Sequence, residues 1–306
     1  MSHLTTSPCN FCGCQKAEKH LTLTDLRLNL PGSWNLMKCQ NCGLLFIDPQ
    51  PSWDELSVHY PKEYHAYLRK DSKITAFLRA FGLRKRVKSI LQRTSVHAGI
   101  LLDVGCATGD FLHEFQALTS WNVLGLEIVP EAAALAKAKG IKIIEEELEN
   151  AQLESSSFDV ITLWDVLEHM ADPARALQIC FDCLKSGGML VLKTPDPAAK
   201  EASIFKEGWI GYEAPQHLFG FPKEVLINKL KDVGFSSVKT TQTGSDYASF
   251  FVSLGHWLNK RGWLKLSKFI ISSTHKPIGR IFAGIIIRPI RWLGIRSSCT
   301  YFCQKP

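Results

Sequence analysis

Residues able to do chemistry fall first in the stretch 101–109, LLDVGCATG, together with Glu127 in GLEIVP. An apolar run of strand type, ILLDV, ends on Asp103 and opens into a loop of small residues, and the helix-patterned DFLHEFQAL follows at once. Gly105 and Gly109 let backbone N–H groups approach a ligand with no Cβ in the way. Glu127 ends a second strand-type run and presents a carboxylate that can take both hydroxyls of a ribose. Loop and acid together form the nucleoside-binding half of a doubly wound α/β domain. The spacing Asp103-x-Gly105-x-x-x-Gly109 is not G-x-G-x-x-G, so the dinucleotide fingerprint is not met.

A second group is sulfur. Cys9-Asn10-Phe11-Cys12-Gly13 and Cys39-Gln40-Asn41-Cys42-Gly43 are two CxxCG knuckles separated by 26 residues. Each needs a tight turn that aims two thiolates at one point, and two knuckles complete a tetrahedral Cys₄ site for Zn²⁺. Four protein ligands close the coordination sphere, so the metal is structural rather than catalytic. Cys14 is either a spare ligand or an ordinary surface or core cysteine. Cys180 and Cys183 form a further CxxC inside the helix-patterned LQICFDCLK and read as buried thiols.

These motifs do not stand alone. FDVITLWDVLEHMADP (158–173), LKSGGMLVLKTPD (184–196) and HLFGFPKEVLINKLKDVGF (217–235) follow the glycine loop in order. With it they resemble the class I S-adenosylmethionine-dependent methyltransferases. A narrower resemblance comes from LLFIDPQPSWDELSVHYPKEYH after the second knuckle. It is similar to bacterial methyltransferases of the sugar- or metabolite-modifying type that carry an N-terminal zinc-ribbon-like module. The resemblance implies a doubly wound, Rossmann-like α/β sheet, a small N-terminal zinc-binding module and a helical insertion before the last strand. Ala107 stands where the family often has a third glycine, a change expected to be tolerated at φ < 0.

For S-adenosyl-L-methionine, the resemblance implies that Asp103 fixes the loop and reaches the methionine end. Gly105, Cys106 and Gly109 line the methionyl and ribose wall, Glu127 holds the ribose, and Ile128 lies against adenine. Glu147 falls where the family's acidic residue meets the adenine amino group, with Leu148 beside it and Glu145 and Glu146 leaving the register open by one. The fourth strand ends at Trp164-Asp165, where an open α/β sheet places its ligand. Methyl transfer from a sulfonium needs chiefly a positioned acceptor. An oxygen acceptor also needs a base, for which Asp165, His169 and His217 are the candidates. Trp209 and Tyr212 are candidates for stacking on the acceptor, or core aromatics.

Four segments are expected: a zinc-ribbon-like module and linker (1–65), the methyltransferase core (66–246), an apolar basic helical insertion (247–296) and the last strand (297–306). A basic helix across 67–93 is expected to pack in front of the first core strand. Net charge is +7, yet after Asp246 there are ten basic residues and no acidic one, leaving 26 basic against 29 acidic elsewhere. Within 247–296, Trp257, Trp263 and Trp292 mix with cations, and a helical wheel gathers Arg280, Arg288 and Arg291 opposite an Ile/Phe face. That composition suits an anionic membrane surface, a cap over the active site or a dimer contact. Nucleic acid is disfavoured, because tryptophan among long aliphatics suits lipid better than a phosphate track. The start MSHLTTSPCN lacks a signal-peptide core, so a cytoplasmic protein, peripheral at the inner face of the membrane, is expected.

The function expected is methyl transfer to a small-molecule, sugar, glycan or lipid-linked acceptor at oxygen. The alternatives are an RNA methyltransferase that grips substrate with the zinc module, and a non-catalytic binding protein on the same fold. The acceptor and the oligomeric state are not legible in the sequence.

Overall fold

The structure is a computed structural model that describes residues 7–60, 73–243, 247–275, 285–287, 289–290 and 292–306. Three short strands come first: β1 (Ala17–Leu23), β2 (Trp34–Cys39) and β3 (Leu45–Ile47). Helix α1 (Trp53–Ser57) opens on a capping box in which Ser52 Oγ accepts from Glu55 N and the Glu55 carboxylate accepts from Ser52 N. Helix α2 (Lys73–Leu91) leads into the first alternating units. These are β4 (Ile100–Val104), α3 (Asp110–Leu118), β5 (Asn122–Leu126), α4 (Pro130–Ala138) and β6 (Lys142–Ile144). They continue with β7 (Phe158–Trp164), α5 (Pro173–Cys183), β8 (Leu184–Pro195) and α6 (Lys200–Phe205). The chain then forms β9 (Phe219–Gly220), α7 (Lys223–Val233), β10 (Ser237–Thr243), α8 (Tyr247–Asn259), α9 (Leu264–His275) and β11 (Ser298–Gln304).

Seven strands make one sheet in the order β10-β11-β8-β7-β4-β5-β6. The five strands from β8 to β6 are parallel, while β11 runs antiparallel between β10 and β8. This is the doubly wound, Rossmann-like α/β sheet expected from the sequence. Leu101, Leu102, Val160, Ile161, Leu163, Leu190, Val191 and Leu192 are fully buried. A parallel sheet covered on both faces requires such continuous apolar runs rather than alternation. Strand order reverses at β4, which sets a ligand crevice at the carboxyl ends of β4, β5 and β7.

A second, four-stranded sheet has the order β1-β2-β3-β9. Its last strand comes from beyond β8, so the cysteine-bearing sheet is completed by the segment that carries His217. Leu45 pairs with Gly220 and Phe46 with Phe219. The Leu218 carbonyl accepts from Ile47 N at 2.9 Å, and Leu218 N donates to the Glu168 carbonyl at 2.8 Å. The first knuckle is held from the other side as well. Asn10 Nδ2 donates to Asp172 Oδ1, and Asn10 Oδ1 accepts from Ala174 N, both at 2.9 Å. Asp172 is also the N-cap of α5, bonded by Arg175 N. Phe11 stacks on Phe221 at 5.5 Å between centroids, and Lys229 Nζ donates to the Phe11 carbonyl.

Helices α8 and α9 sit between β10 and β11, and Ser253 Oγ of α8 accepts from Ile210 N at 3.0 Å. Of the arc drawn for this segment, Arg280, Arg288 and Arg291 lie outside the described residues. Among the described residues no helix is long and apolar enough to cross a membrane. Helix α2 shows the expected basic face in part, with Arg84 on Glu114 and Arg79 on Asp110 of α3.

Phe221, fully buried and stacked on both Phe11 and Phe219, ties the two sheets together. Phe221→Ala is expected to destabilise the fold by about 3–5 kcal/mol, seen as a lowered midpoint in denaturant.

Candidate active site

The loop after β4 is built on left-handed backbone. Gly105 (φ +67°) and Gly109 (φ +71°) both occupy it, and a Cβ on Gly105 would stand 2.7 Å from Val166 Cγ2. Any larger residue there meets strain and contact together. Ala107 also lies at φ +48°, which overturns the expectation of φ < 0. An alanine in this region costs roughly 1–2 kcal/mol relative to glycine's freedom. The Ala107 N–H repays part of it by donating to Glu127 Oε2 at 2.8 Å, while Val129 N donates to Oε1 at 2.9 Å. The two amides fix the carboxylate at the end of β5, where burial nevertheless raises its pKa. Its remaining lone pairs are available to a diol.

Asp103 is buried under the same loop, its Oδ1 accepting from Thr162 Oγ1 at 2.5 Å. Burial pushes its pKa from 3.8 to about 7 against the pull of that hydrogen bond. A cationic group reaching it would restore the charge. Cys106 is buried, its thiol pushed up by burial and by the two acids. Ile128 is half exposed, and Leu148 is buried. Glu147 is exposed, and its carbonyl accepts from Asn150 N and Ala151 N to form the turn after β6. Trp164 packs edge-on against Phe111 at 5.4 Å with Arg86 over its ring at 4.6 Å, and its indole Nε1 is buried with no partner among the described residues.

Beyond β7 the chain turns through Asp165 (φ +58°) into a 3₁₀ turn, Leu167–His169. Burial would raise Asp165, but Lys193 Nζ lies 2.7 and 2.8 Å from its two oxygens and holds it below the usual range. His169 and His217 meet edge to face, 4.6 Å between ring centroids. His169 Nδ1 lies 2.9 Å from the Gln216 carbonyl and 3.2 Å from Tyr60 Oη, and His217 Nδ1 lies 2.9 Å from the Gly211 carbonyl. A carbonyl oxygen only accepts, so each ring carries its proton on Nδ1 and keeps a lone pair on Nε2. Burial lowers both imidazoles to about 4, so both are neutral near pH 7.

Glu168 joins this corner although no motif marks it. It is buried, and neither carboxylate oxygen has a hydrogen-bond partner among the described residues. Burial, reinforced by the Asp165 charge, raises its pKa well above the carboxylate range. Its position directly before His169 at a strand end was the available signal. Trp209 and Tyr212 are core: Trp209 is fully buried with Nε1 on Glu201, and Tyr212 packs edge-on against it.

The four knuckle cysteines converge. Cys9 Sγ lies 3.5 Å from Cys42 Sγ and Cys12 Sγ 3.6 Å from Cys39 Sγ, close to the roughly 3.8 Å edge set by four metal–sulfur bonds of about 2.3 Å. Backbone N–H groups of Phe11 and Cys12 bond the Cys9 sulfur, although burial still pushes that thiol up to about 11. Cys12, against its own burial, is lowered to about 6 by hydrogen bonds with Asn41 and its neighbours, and a cation replaces the protons that remain on the others, so the donor set fits a metal ion. Cys14 faces the Lys16 backbone instead. Cys180 and Cys183 are buried in α5.

A seven-stranded sheet with this order, a glycine loop after β4 and an acid after β5 define a class I S-adenosylmethionine-dependent methyltransferase. Residues 67–240 match the family model described as a methyltransferase domain, more than half of the chain, and the protein belongs to that family. The ubiquinone biosynthesis O-methyltransferase of Xanthomonas oryzae is 28% identical over 140 residues, which cover 43% of this chain and 58% of that protein. The enzyme of the same name from Marinobacter nauticus is 31% identical over 118 residues, covering 36% and 49%. The match thus spans about half the length of these relatives. Phosphoethanolamine N-methyltransferase 2 of Haemonchus contortus superposes with a TM-score of 0.55 at 15% identity, covering 86% of this chain and 62% of that one. A sarcosine dimethylglycine methyltransferase assigned in Galdieria sulphuraria gives 0.53 at 15% identity, covering 82% and 96%. These two likenesses concern the fold.

Because Asp103 has a folded-state pKa above its unfolded one, its contribution is present at low pH and is lost as pH rises from about 4 through about 7. Without cofactor, Asp103→Asn is expected to flatten the fall in melting temperature between pH 5 and pH 8. Of the roughly 4 kcal/mol that the rise from 3.8 to about 7 represents, about 2–3 kcal/mol falls between these two pH values. Thermal unfolding of both proteins at the two pH values checks it.

Proposed function

We propose that this chain transfers the methyl group of S-adenosylmethionine to an oxygen of a small-molecule, glycan or lipid-linked acceptor. The observation that carries the reading is the Glu127 carboxylate, fixed by the Ala107 and Val129 amides at the mouth of the crevice with lone pairs left for a ribose diol. Asp103 answers the cationic methionine end, and Gly105, Cys106 and Gly109 form the wall between them. Ile128 and Leu148 flank adenine, with Glu147 toward its amino group and Trp164 closing the floor. Oxygen is favoured by the relatives named as O-methyltransferases and by the neutral His169 and His217, whose free Nε2 lone pairs suit an acceptor that must lose a proton. Asp165, pinned by Lys193, sets the electrostatics of that corner. In the knuckles, Cys9, Cys12, Cys39 and Cys42 hold a structural Zn²⁺.

Glu127→Ala is expected to weaken S-adenosylmethionine binding by at least about 2 kcal/mol, roughly 30-fold, through loss of charge-assisted hydrogen bonds. Calorimetric titration with S-adenosylmethionine checks it, and unchanged affinity overturns the placement of the ribose.

The α8–α9 hairpin favours a lipid-linked acceptor. Trp263 and Phe269 are 60% and 68% exposed, with Leu264 and Leu266 exposed between them. Lys260, Arg261, Lys265 and Lys268 are exposed in the same stretch. Large apolar side chains among cations suit an anionic bilayer surface. The protein is expected to sediment with phosphatidylglycerol vesicles and not with phosphatidylcholine vesicles. Trp263→Ser with Phe269→Ser is expected to reduce the bound fraction at least about fivefold.

A further inference from the structure

We infer that Glu168, His169 and His217 form a second metal site, one that takes a divalent transition-metal cation at the acceptor end of the crevice. The inference deepens the acceptor half of the proposed function and rests on it for the cation's role.

One donor atom from each of the three side chains lies within 4.8 Å of the other two. Bonds of about 2.0–2.2 Å to one cation bring such donors to roughly 3.5 Å apart, so small side-chain rotations close the set. The donor chemistry is two imidazoles and a carboxylate, the combination that suits zinc, iron, manganese or cobalt and leaves positions open for a substrate oxygen.

Three features separate this cluster from a chance meeting of polar groups. Both histidines carry their proton on Nδ1, pinned to the Gln216 and Gly211 carbonyls, which is how metal-bound histidines are oriented from behind. Their Nε2 lone pairs are therefore free of hydrogen bonds, and the Glu213 carboxylate, 3.8 Å from His217 Nε2, adds negative charge beside the cluster. Glu168 is the second feature. A fully buried carboxyl with no hydrogen bond on either oxygen costs the fold several kcal/mol unless something compensates it. The neighbouring cation, Lys193, is committed to both oxygens of Asp165. A divalent ion beside Glu168 supplies the missing partner.

The third feature is position. His169 and Glu168 lie in the 3₁₀ turn directly after β7, and Leu218, next to His217, bonds the Glu168 carbonyl. A cation here stands where the acceptor approaches the methyl group. Coordination lowers the pKa of a bound hydroxyl, so the acceptor releases its proton to solvent near neutral pH, and with the cation bound the two imidazoles serve as ligands in place of bases.

The test titrates the purified, zinc-containing protein with CoCl₂. Wild type is expected to develop one equivalent of visible d–d absorption without the near-ultraviolet thiolate-to-cobalt band that cobalt in the cysteine knuckles gives. Glu168→Gln and His217→Gln are each expected to weaken this binding by roughly 100-fold or more, with S-adenosylmethionine affinity by calorimetry unchanged. Absence of the d–d band in wild type, or unchanged cobalt affinity in Glu168→Gln, overturns the site. Loss of S-adenosylmethionine binding by wild type itself counts instead against the methyltransferase reading, so the two failures are distinguishable.

Discussion

The peptide unit of Leu218 is the joint on which the two halves of this protein depend. Its N–H is spent on the Glu168 carbonyl, at the turn after β7, and its carbonyl on Ile47 of the cysteine-bearing sheet. Backbone hydrogen bonds in a buried segment have no water to exchange with, so neither partner can leave without a cost. Leu218 is buried, and its neighbours Phe219 and Gly220 extend the contact as the fourth strand of the first sheet. The cysteine knuckles are thereby connected through three strands to the histidines beside the crevice. A small sheet that cannot build much core of its own gains stability from this attachment, to which the structural Zn²⁺ proposed for its thiols would add. In return it holds the His217 segment against the end of β7.

The crevice is costly for the fold. Asp103, Glu127 and Glu168 are all buried at the carboxyl ends of strands, and burial raises the pKa of each. Ala107 adds backbone strain at a loop position that glycine would occupy without it. Costs of this kind concentrate where a ligand later compensates them. In the function proposed, the compensation for Asp103 and Glu127 is the ammonium and diol of the cofactor, and in the further inference a cation compensates Glu168. The remainder of the sheet follows ordinary rules of burial, with apolar runs in the parallel strands and caps at the helix ends.

The parallel sheet, the glycine loop and the cysteine knuckles were legible in the sequence because each has a strong local signature. ILLDV followed by a glycine turn and a helix, or CxxCG repeated, leaves few alternatives. The joint at Leu218 was not legible. A two-residue strand has no periodicity, and its partner Leu45–Ile47 is far away in the chain. Glu168 was overlooked because LEHMADP draws attention to its histidine, and an acid between Leu and His gives no sign that it is buried. Trp209 and Tyr212 could not be sorted between acceptor stacking and core from composition, since aromatic rings serve both; only the packing against Glu201 and α8 decides it. The sign of φ at Ala107 is likewise a property of the closed loop and not of alanine.

The central claim is that the cysteine-bearing sheet braces the acceptor side of a methyltransferase whose cofactor side stands independently. Hydrogen exchange resolved by residue, in wild type and in the double variant Cys12→Ser with Cys42→Ser, tests it most directly. The double substitution is predicted to raise the exchange rate of the Leu218 amide and its neighbours at 217–220 at least about tenfold, while β4 and β5 keep their protection and S-adenosylmethionine still binds. Unchanged protection at Leu218, or an equal loss throughout the sheet of seven strands, would contradict it.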